Sequence, residues 1–241
     1  MTMIHARLMA FGLAAALLAG CKKDEVPEPD LGYTYFPVAK GAWVEYQVDS
    51  LWRDDRAGVL DSVSYRLMQR IEELYTDDEG RPCQRIHRYV KDANDAWVVR
   101  DVWTSTRSTT AAEMTEENYR RLKLSFPVRI SRTWDIHILG TGAADDPDTD
   151  DELLVAYREI GEPWSANGLT FPNTLLLRNT VPANLVDKRN FEERYADGVG
   201  MIAKYWEETD TQYTYPEPTF QLVIEVKGWR LDMVAVAYGT D

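Results

Sequence analysis

The sequence predicts an all-β, mainly antiparallel domain in which a curved meander sheet forms a half-barrel or a barrel. Apolar and polar residues alternate with a period of two over most of the chain from Trp43 onward. Short loops of turn residues separate these segments, which favours hairpins over the long crossovers of parallel sheets. Eight tryptophans and thirteen tyrosines add β-favouring aromatic content. A large single sheet of this composition should curl over a core.

The first half of the domain is predicted to contain four strands and one helix. The strands cover residues 43–52, 63–75, 83–90 and 97–106. The helix covers residues 115–122 (TEENYRRL), where Thr115 can serve as the N-cap and the acids that follow suit the positive end of the helix dipole.

The second half is predicted to contain six strands, at residues 134–139, 153–160, 170–179, 191–195, 201–208 and 220–236. A short motif links the halves: Phe36-Pro37-Val38 precedes Trp43, and Phe126-Pro127-Val128 precedes Trp134. Each proline favours an extended chain, and each tryptophan opens a strand. The repetition favours two related sheet halves.

Residues 1–20 have the features of a bacterial signal peptide. A start with a single charge, Arg7, leads into an apolar stretch at residues 8–18, which is too short to span a bilayer as a helix. The stretch ends in Leu18-Ala19-Gly20-Cys21, which resembles the lipobox of bacterial lipoproteins. The resemblance implies that Cys21 receives a diacylglyceryl group, and that acyl chains such as palmitate anchor the protein in a membrane.

The residues after Cys21 bear on where the anchor is sorted. The run Lys23-Asp24-Glu25, preceded by Lys22, resembles the surface-export signal of Bacteroidetes-type lipoproteins, and the alternative is a solvated charged linker. An outer-membrane protein on the cell surface is the resulting prediction. Residues 21–34 then form a lipidated tether, and residues 35–241 form a single β domain.

A wider resemblance covers most of the mature chain. It rests on the pattern Tyr35-Phe36-Pro37-Val38, Gly41, Trp43 and Tyr46, on the later Phe126-Pro127-Val128 with Trp134, and on the turn at 195–200. These residues resemble uncharacterised Bacteroidetes-type lipoproteins and, more loosely, the curved sheets of LolA/LolB-type carriers. The resemblance implies a fold and transfers no activity.

The sequence offers little material for catalysis. It contains no phosphate loop and no HExxH, GxSxG or CxxC motif. Cys83 and His87 share a strand face but are about 13 Å apart at 3.3 Å per residue. Adjacent acidic pairs such as Glu192-Glu193 point to opposite faces of a strand. We therefore predict no catalytic residue, no cofactor and no enzyme, and leave open a hydrolase whose carboxylates come from distant strands.

One acidic loop is a weak candidate for calcium. Asp146, Asp148 and Asp150 alternate in a run that could supply oxygen ligands. The loop lacks the glycine and the final acid of an EF-hand, since the twelfth position is Tyr157. A solvated hairpin tip is the favoured interpretation.

The tryptophans divide into two groups. Trp43 and Trp134 open strands and are predicted to pack in the core. Trp52, Trp164 and Trp206 lie near turns or among charges, and are the candidate ligand contacts.

These features predict a lipid-anchored cell-envelope protein with a binding or structural role. Its partners would be outer-membrane lipid, through Cys21, and a glycan, an apolar ligand or an envelope protein. Nucleic acid is excluded because the net charge of −13 repels it. The alternatives are a LolA/LolB-like carrier of a lipid or other apolar ligand, and the hydrolase. A dry apolar cavity would favour the carrier, exposed aromatics would favour glycan or protein binding, and two close carboxylates with raised pKa would favour the hydrolase.

Overall fold

The computed structural model describes residues 29–140 and 152–241, and confirms the all-β prediction. Twelve antiparallel strands form one sheet, which curls into a nearly closed barrel. The strands are β1 (Ala42–Asp54), β2 (Val59–Thr76), β3 (Pro82–Lys91), β4 (Trp97–Arg107), β5 (Ala111–Glu116), β6 (Tyr119–Ser125), β7 (Thr133–Asp135), β8 (Leu154–Ala166), β9 (Leu169–Asn179), β10 (Asp187–Ala196), β11 (Gly200–Thr214) and β12 (Val223–Thr240).

The strand order shows two meanders, β1 to β6 and β7 to β12, which are joined by the pairing of β1 with β12. It runs β6-β5-β4-β3-β2-β1-β12-β11-β10-β9-β8-β7, so the first and the last strand of the chain pair in the middle of the sheet. The sequence-local hairpins follow from short turns, whereas the β1–β12 pair joins residues nearly 200 positions apart, such as Ala42 and Thr240. The relationship between the two sheet halves that the repeated Phe-Pro-Val motif suggests remains a prediction.

The two edge strands meet along a seam. The Leu122 amide donates to the Ile136 carbonyl at 2.8 Å, and the Trp134 indole N–H donates to the Leu122 carbonyl at 2.9 Å. The Tyr157 hydroxyl accepts from the Ser125 amide and donates to the Ser125 carbonyl. These contacts satisfy part of the backbone that an open sheet edge would expose.

One end of the barrel is closed by the segment that precedes β1. A 3₁₀ turn at Tyr33–Tyr35 lies there, and Tyr35 and Phe36 are buried in the core. The Arg107 guanidinium donates to the carbonyls of Tyr33 and Phe36, at 2.8 Å each, and the Gly198 amide donates to the Thr34 carbonyl. We call this the closed end. The opposite end, where β1 ends and β12 begins, is called the mouth.

The period-two pattern places the core as the sequence predicts. Val44, Tyr46 and Val48 of β1 are buried against Leu67 of β2 and Ala235 of β12. The Tyr46 hydroxyl, which enters this apolar interior, donates to the Met201 carbonyl at 2.7 Å.

The predicted helix at residues 115–122 is wrong. This segment instead forms the hairpin between β5 and β6, in which Glu116 pairs with Tyr119. Glu117 and Asn118 form the turn with φ of +48° and +70°, a left-handed geometry that asparagine tolerates better than most residues. Strand pairing and the burial of Glu116 and Lys123 outweigh the local helical signal.

The two strand-opening tryptophans differ from each other. Trp134 lies in β7, is 8% exposed and belongs to the core, as predicted. Trp43 lies in β1 but is only half-buried, and its ring covers the backbone of Gly239 on the neighbouring strand. The strand predicted at residues 134–139 is also shorter than expected, since β7 ends at Asp135.

Several predicted features lie outside the described residues. They are the signal peptide, most of the tether, and the residues Leu18, Ala19, Gly20, Cys21, Lys22, Lys23, Asp24, Glu25, Asp146, Asp148 and Asp150. Within residues 29–140 and 152–241, no helix has the length and apolar character needed to cross a membrane.

Candidate functional site

A cleft of about 680 Å³ lies at the mouth of the barrel. Its walls come from the mouth ends of β1, β10, β11 and β12 and from the loop that joins β9 to β10. Its volume falls within the range of roughly 300–1,000 Å³ that small-molecule sites occupy. The cleft is therefore large enough for a ligand.

An aromatic row runs along the inner face of the sheet from the core to this cleft. Phe191, which is 1% exposed, packs edge to face against Trp206 with 5.1 Å between the ring centroids. Trp206 contacts Trp229 at 5.3 Å. Trp229 lies directly opposite Trp52 in the β1–β12 pair, and both tryptophans line the cleft. At 42% exposure, Trp52 presents an aromatic surface to any molecule entering the mouth.

Charged side chains surround the aromatic surface. Glu208 accepts a hydrogen bond from the Trp206 indole N–H at 3.0 Å and forms an ion pair with Arg189 at 3.3 Å. Asp187 and Asp210 lie directly opposite each other on β10 and β11, and both line the cleft. Like charges directly opposite each other destabilise a sheet. Hydrogen bonds from an approaching hydroxyl or amide group would stabilise these two carboxylates.

Gly228 allows β12 to lie close against β11 beside the cleft. Its φ is +147°, and a Cβ atom there would lie 2.0 Å from the Glu208 carbonyl oxygen and 2.6 Å from the Thr209 Cα. Any side chain would push the two strands apart. Trp229 of the aromatic row follows this glycine directly in β12.

The three candidate tryptophans lie in different surroundings. Trp52 lines the cleft. Trp206 lies behind it, half-buried and packed against the core, and so is less exposed than the sequence suggested. Trp164 lies on β8 and stacks on Phe171 with the Arg194 guanidinium over its ring, away from the cleft. Whether any of them contacts a ligand stays a prediction.

Trp229 was not identified from the sequence. Its importance comes from its pairing with Trp52, which requires the β1–β12 register. A signal was present nonetheless: Trp229 follows a glycine in a long alternating segment, where a small residue marks a close backbone approach.

A second polar cluster lies inside the barrel. The Lys123 ammonium donates to Glu116 at 3.0 Å and also to Glu193, which is 0% exposed. The Lys204 ammonium lies 3.3 Å from Glu193 and 3.9 Å from Glu116, and the Arg121 guanidinium lies 3.3 Å from Glu116. We call Glu116, Lys123, Glu193 and Lys204 the interior ionic cluster.

The electrostatics of this cluster keep both carboxylates ionised. Burial alone would raise the pKa of Glu116 and Glu193, but the charges of Lys123 and Lys204 outweigh it and lower both pKa values. Burial and the Glu193 charge raise the pKa of Tyr195, whose hydroxyl donates to Glu193 at 2.6 Å. A carboxyl group held in its charged form is poorly suited to act as a general acid.

Sequence reasoning missed the interior ionic cluster because its members come from β5, β6, β10 and β11. The signal that could have found them is a charge at an inward position, as at Lys204 between Ile202 and Trp206. The prediction for adjacent acidic pairs holds at Glu192 and Glu193: the first pairs with Arg178 in solvent, and the second is buried.

The remaining reactive side chains have ordinary structural roles. Cys83 is buried, and burial raises the pKa of its thiol, which makes it less nucleophilic. His137 contacts the Arg121 guanidinium on the neighbouring edge strand. Among the described residues, no group of three or more His, Cys, Asp or Glu side chains is arranged to hold a metal ion.

Comparisons with solved structures find similar chains. No protein-family model and no curated protein matches the chain. A Bacteroides fragilis protein, inferred to be exported and having a YmcC-like fold, is similar with a TM-score of 0.37 and 12% identity, over 85% of this chain and 98% of that one. A protein inferred to be a lipoprotein of Parabacteroides distasonis is similar with a TM-score of 0.37 and 12% identity, over 86% and 98%.

Proposed function

We propose that this chain is a lipid-anchored cell-envelope protein that binds a polyhydroxylated, glycan-type ligand in the mouth of its barrel. The observation that supports the proposal is the cross-strand pair Trp52–Trp229, which lines a cleft of about 680 Å³ among charged side chains. Aromatic faces pack against the C–H faces of a ring, and carboxylates accept hydrogen bonds from hydroxyl groups. Asp187 and Asp210 are the groups that would receive those bonds.

The described sheet domain begins, at Leu31, at the closed end of the barrel, opposite the mouth. The chain enters the sheet domain at the closed end, where the Val128 amide donates to the Leu31 carbonyl at 3.0 Å. Lipid on Cys21 would tie the domain to a bilayer through a tether of roughly 30 Å at full extension. That reach would leave the mouth accessible to ligands in the surrounding medium.

The size of the interior space gives the carrier alternative no support. The cavity within the barrel measures about 130 Å³, well below the roughly 300–1,000 Å³ of typical ligand sites. The hydrolase alternative gains nothing from Glu116 and Glu193, whose pKa values are lowered.

The ligand proposal can be tested by titrating the purified full-length chain with neutral hexasaccharides of glucose, mannose and xylose while recording tryptophan fluorescence. We expect at least one to quench the emission saturably. Trp52→Ala should weaken that binding at least tenfold, because it removes the exposed stacking face. The matched control is Trp164→Ala, which removes a tryptophan that lies away from the cleft. Equal affinities for the two variants, or no binding by any sugar, would refute the proposed function.

The cell-surface location has its own test. Replacing Lys23, Asp24 and Glu25 by alanine should leave the protein membrane-bound but hidden from protease added to intact cells. Replacing Asp77, Asp78 and Glu79, an acidic turn on the sheet domain, is the matched control and should leave digestion unchanged. Digestion of the first variant at the normal rate would disprove surface export through this signal, and would leave the ligand proposal intact.

A further inference from the structure

A row of charged side chains crosses the sheet beside the Trp52–Trp229 pair. On both β1 and β12 this row lies two residues nearer the mouth than the tryptophans, and therefore on the same face of the sheet, about 7 Å away. The strand register places its members directly opposite one another, and all except Asp54 line the cleft. We call this the aspartate row, and its members are Asp54 on β1, Lys227 on β12, Asp210 on β11 and Asp187 on β10.

The aspartate row carries more negative than positive charge. The Lys227 ammonium lies 3.1 Å from the Asp54 carboxylate, which also accepts a hydrogen bond from the Ala57 amide at 3.0 Å. Asp187 and Asp210 are exposed, and neither forms an ion pair with another side chain in residues 29–140 and 152–241. The row therefore holds three carboxylates and one ammonium group, and the two unpaired carboxylates are neighbours.

The other cations of the cleft are engaged elsewhere. Lys188 forms an ion pair with Glu207 at 2.9 Å, and Arg189 forms one with Glu208 at 3.3 Å. Each cationic side chain that lines the described part of the cleft thus has a carboxylate partner of its own. A ligand with a positive charge would offset the repulsion between the two unpaired aspartates, whereas a ligand with a negative charge would add to it.

The surface depression continues past the aspartate row. A second recess of about 180 Å³ begins there and shares Asp210 and Lys227 with the cleft. Gln212 and Glu225, which lie directly opposite each other on β11 and β12, also line this recess. A ligand that packs one ring against the tryptophan pair therefore has room for a neighbouring ring over the aspartate row.

We propose that the ligand of the mouth cleft is a cationic amino sugar at least two rings long. This inference rests on the proposed function and adds the charge of the ligand to it. One ring packs against Trp52 and Trp229, and the ammonium group of the next ring lies between Asp187 and Asp210. An ammonium group has three N–H donors, so it can donate to both carboxylates at once. The cleft and its tryptophans form the site, and the aspartate row selects the charge of the ligand.

The test compares the disaccharides of glucosamine and of N-acetylglucosamine, which share a sugar backbone and differ in the charge on nitrogen. The purified full-length chain is titrated with each at pH 6, where the amino groups are protonated, and binding is followed by calorimetry. We expect the glucosamine disaccharide to bind at least about fivefold more tightly. Asp210→Asn should reduce the ratio of the two affinities to about two or less, because it removes one carboxylate without changing the size of the side chain.

Two further variants show where the disaccharides bind. Asp78→Asn is the matched control: it removes an exposed carboxylate from the turn between β2 and β3, away from the cleft, and should leave the ratio of affinities unchanged. Trp52→Ala should weaken the binding of both disaccharides, because both lose the ring contact. An equal fall in the ratio for Asp78→Asn and Asp210→Asn would show attraction to the acidic surface as a whole, and would overturn the inference.

The outcomes separate this inference from the proposed function. Equal affinities for the two disaccharides, or no binding of either, would overturn the preference for an amino sugar. The proposed function would still stand if a neutral hexasaccharide binds and Trp52→Ala weakens that binding. A preference for glucosamine that persists in full in Asp210→Asn would place the ammonium group away from the aspartate row, and would also overturn the inference.

Discussion

Lys123 on β6 donates a hydrogen bond to Glu193 on β10, seventy residues away, and links the two meanders inside the barrel. The side chains of both residues are almost fully buried, with exposures of 3% and 0%. An ion pair so deep in the protein is strongly destabilised when one partner is removed, because the other charge is left without compensation.

Lys123→Met should lower the free energy of unfolding by about 3–5 kcal/mol. The reason is that Glu116 and Glu193 both lose their closest cation. Urea denaturation measures the change. Lys188→Met, which removes a half-exposed lysine paired with Glu207, should cost about 1 kcal/mol or less. Similar losses for both variants would contradict the role assigned to the interior ionic cluster.

Stability should fall at acid pH in a way that depends on Glu193. Its pKa is lowered in the folded state, so its contribution is present above the unfolded carboxyl pKa of about 4.3 and is lost as the pH falls through the folded pKa. Urea denaturation between pH 7 and pH 3 should show a shallower pH dependence for Glu193→Gln than for the unmodified chain. Glu79→Gln, at an exposed turn, is the control and should leave the slope unchanged. A slope in Glu193→Gln equal to that of the unmodified chain would show that Glu193 is not held ionised.

Gly228→Ala should lower the free energy of unfolding by at least about 2 kcal/mol. The added Cβ would collide with the Glu208 backbone, and residues with a side chain rarely adopt the backbone conformation of Gly228. Gly58→Ala is a matched control, because Gly58 also has a positive φ, of +66°, but faces open space. It should cost about 1 kcal/mol from backbone strain alone. Thermal unfolding measures the loss of stability in each variant. Equal losses would mean that the close approach of β11 and β12 does not add to the effect of Gly228→Ala.

Trp134→Ala should lower the free energy of unfolding by about 3–5 kcal/mol, because it leaves a cavity and removes a hydrogen bond across the seam. Trp206→Ala should also be destabilising, since the ring packs against Phe191. Trp52→Ala is the control at the exposed end of the aromatic row, where about 1 kcal/mol or less is expected. Chemical denaturation measures the stability lost in each variant. A larger loss for Trp52→Ala than for Trp134→Ala would show that Trp52, and not Trp134, packs in the core.

Cys21→Ser should leave the protein unprocessed or soluble, because the lipid has no thiol to join. Membrane fractionation, with detection of the lipid by metabolic labelling with palmitate, measures the effect. Cys83→Ser is the control: its thiol is buried in the sheet domain, and the variant should still partition with membranes. Quantitative membrane association of Cys21→Ser would disprove the anchor.

Local sequence pattern was sufficient to predict the fold class and ten of the twelve described strands. In a meander, hairpin partners are neighbours in the chain, so alternation and turn residues suffice to predict strands such as β3 and β4. The same alternation predicted that Glu192 and Glu193 would face opposite sides, which the structure confirms. Local pattern failed at residues 115–122, where a helical composition forms the β5–β6 hairpin because pairing and burial outweigh local propensity.

The residues that meet at the mouth and inside the barrel could not be predicted from local pattern. Trp52 and Trp229 face each other because β1 pairs with β12 at the opposite end of the chain, and no local pattern specifies that register. Lys123 and Glu193 likewise meet only when the curled sheet brings β6 and β10 to the same interior space. Residues so far apart in the chain come into contact only when the whole sheet closes. That closure depends on the combined pairing and curvature of all the strands between them.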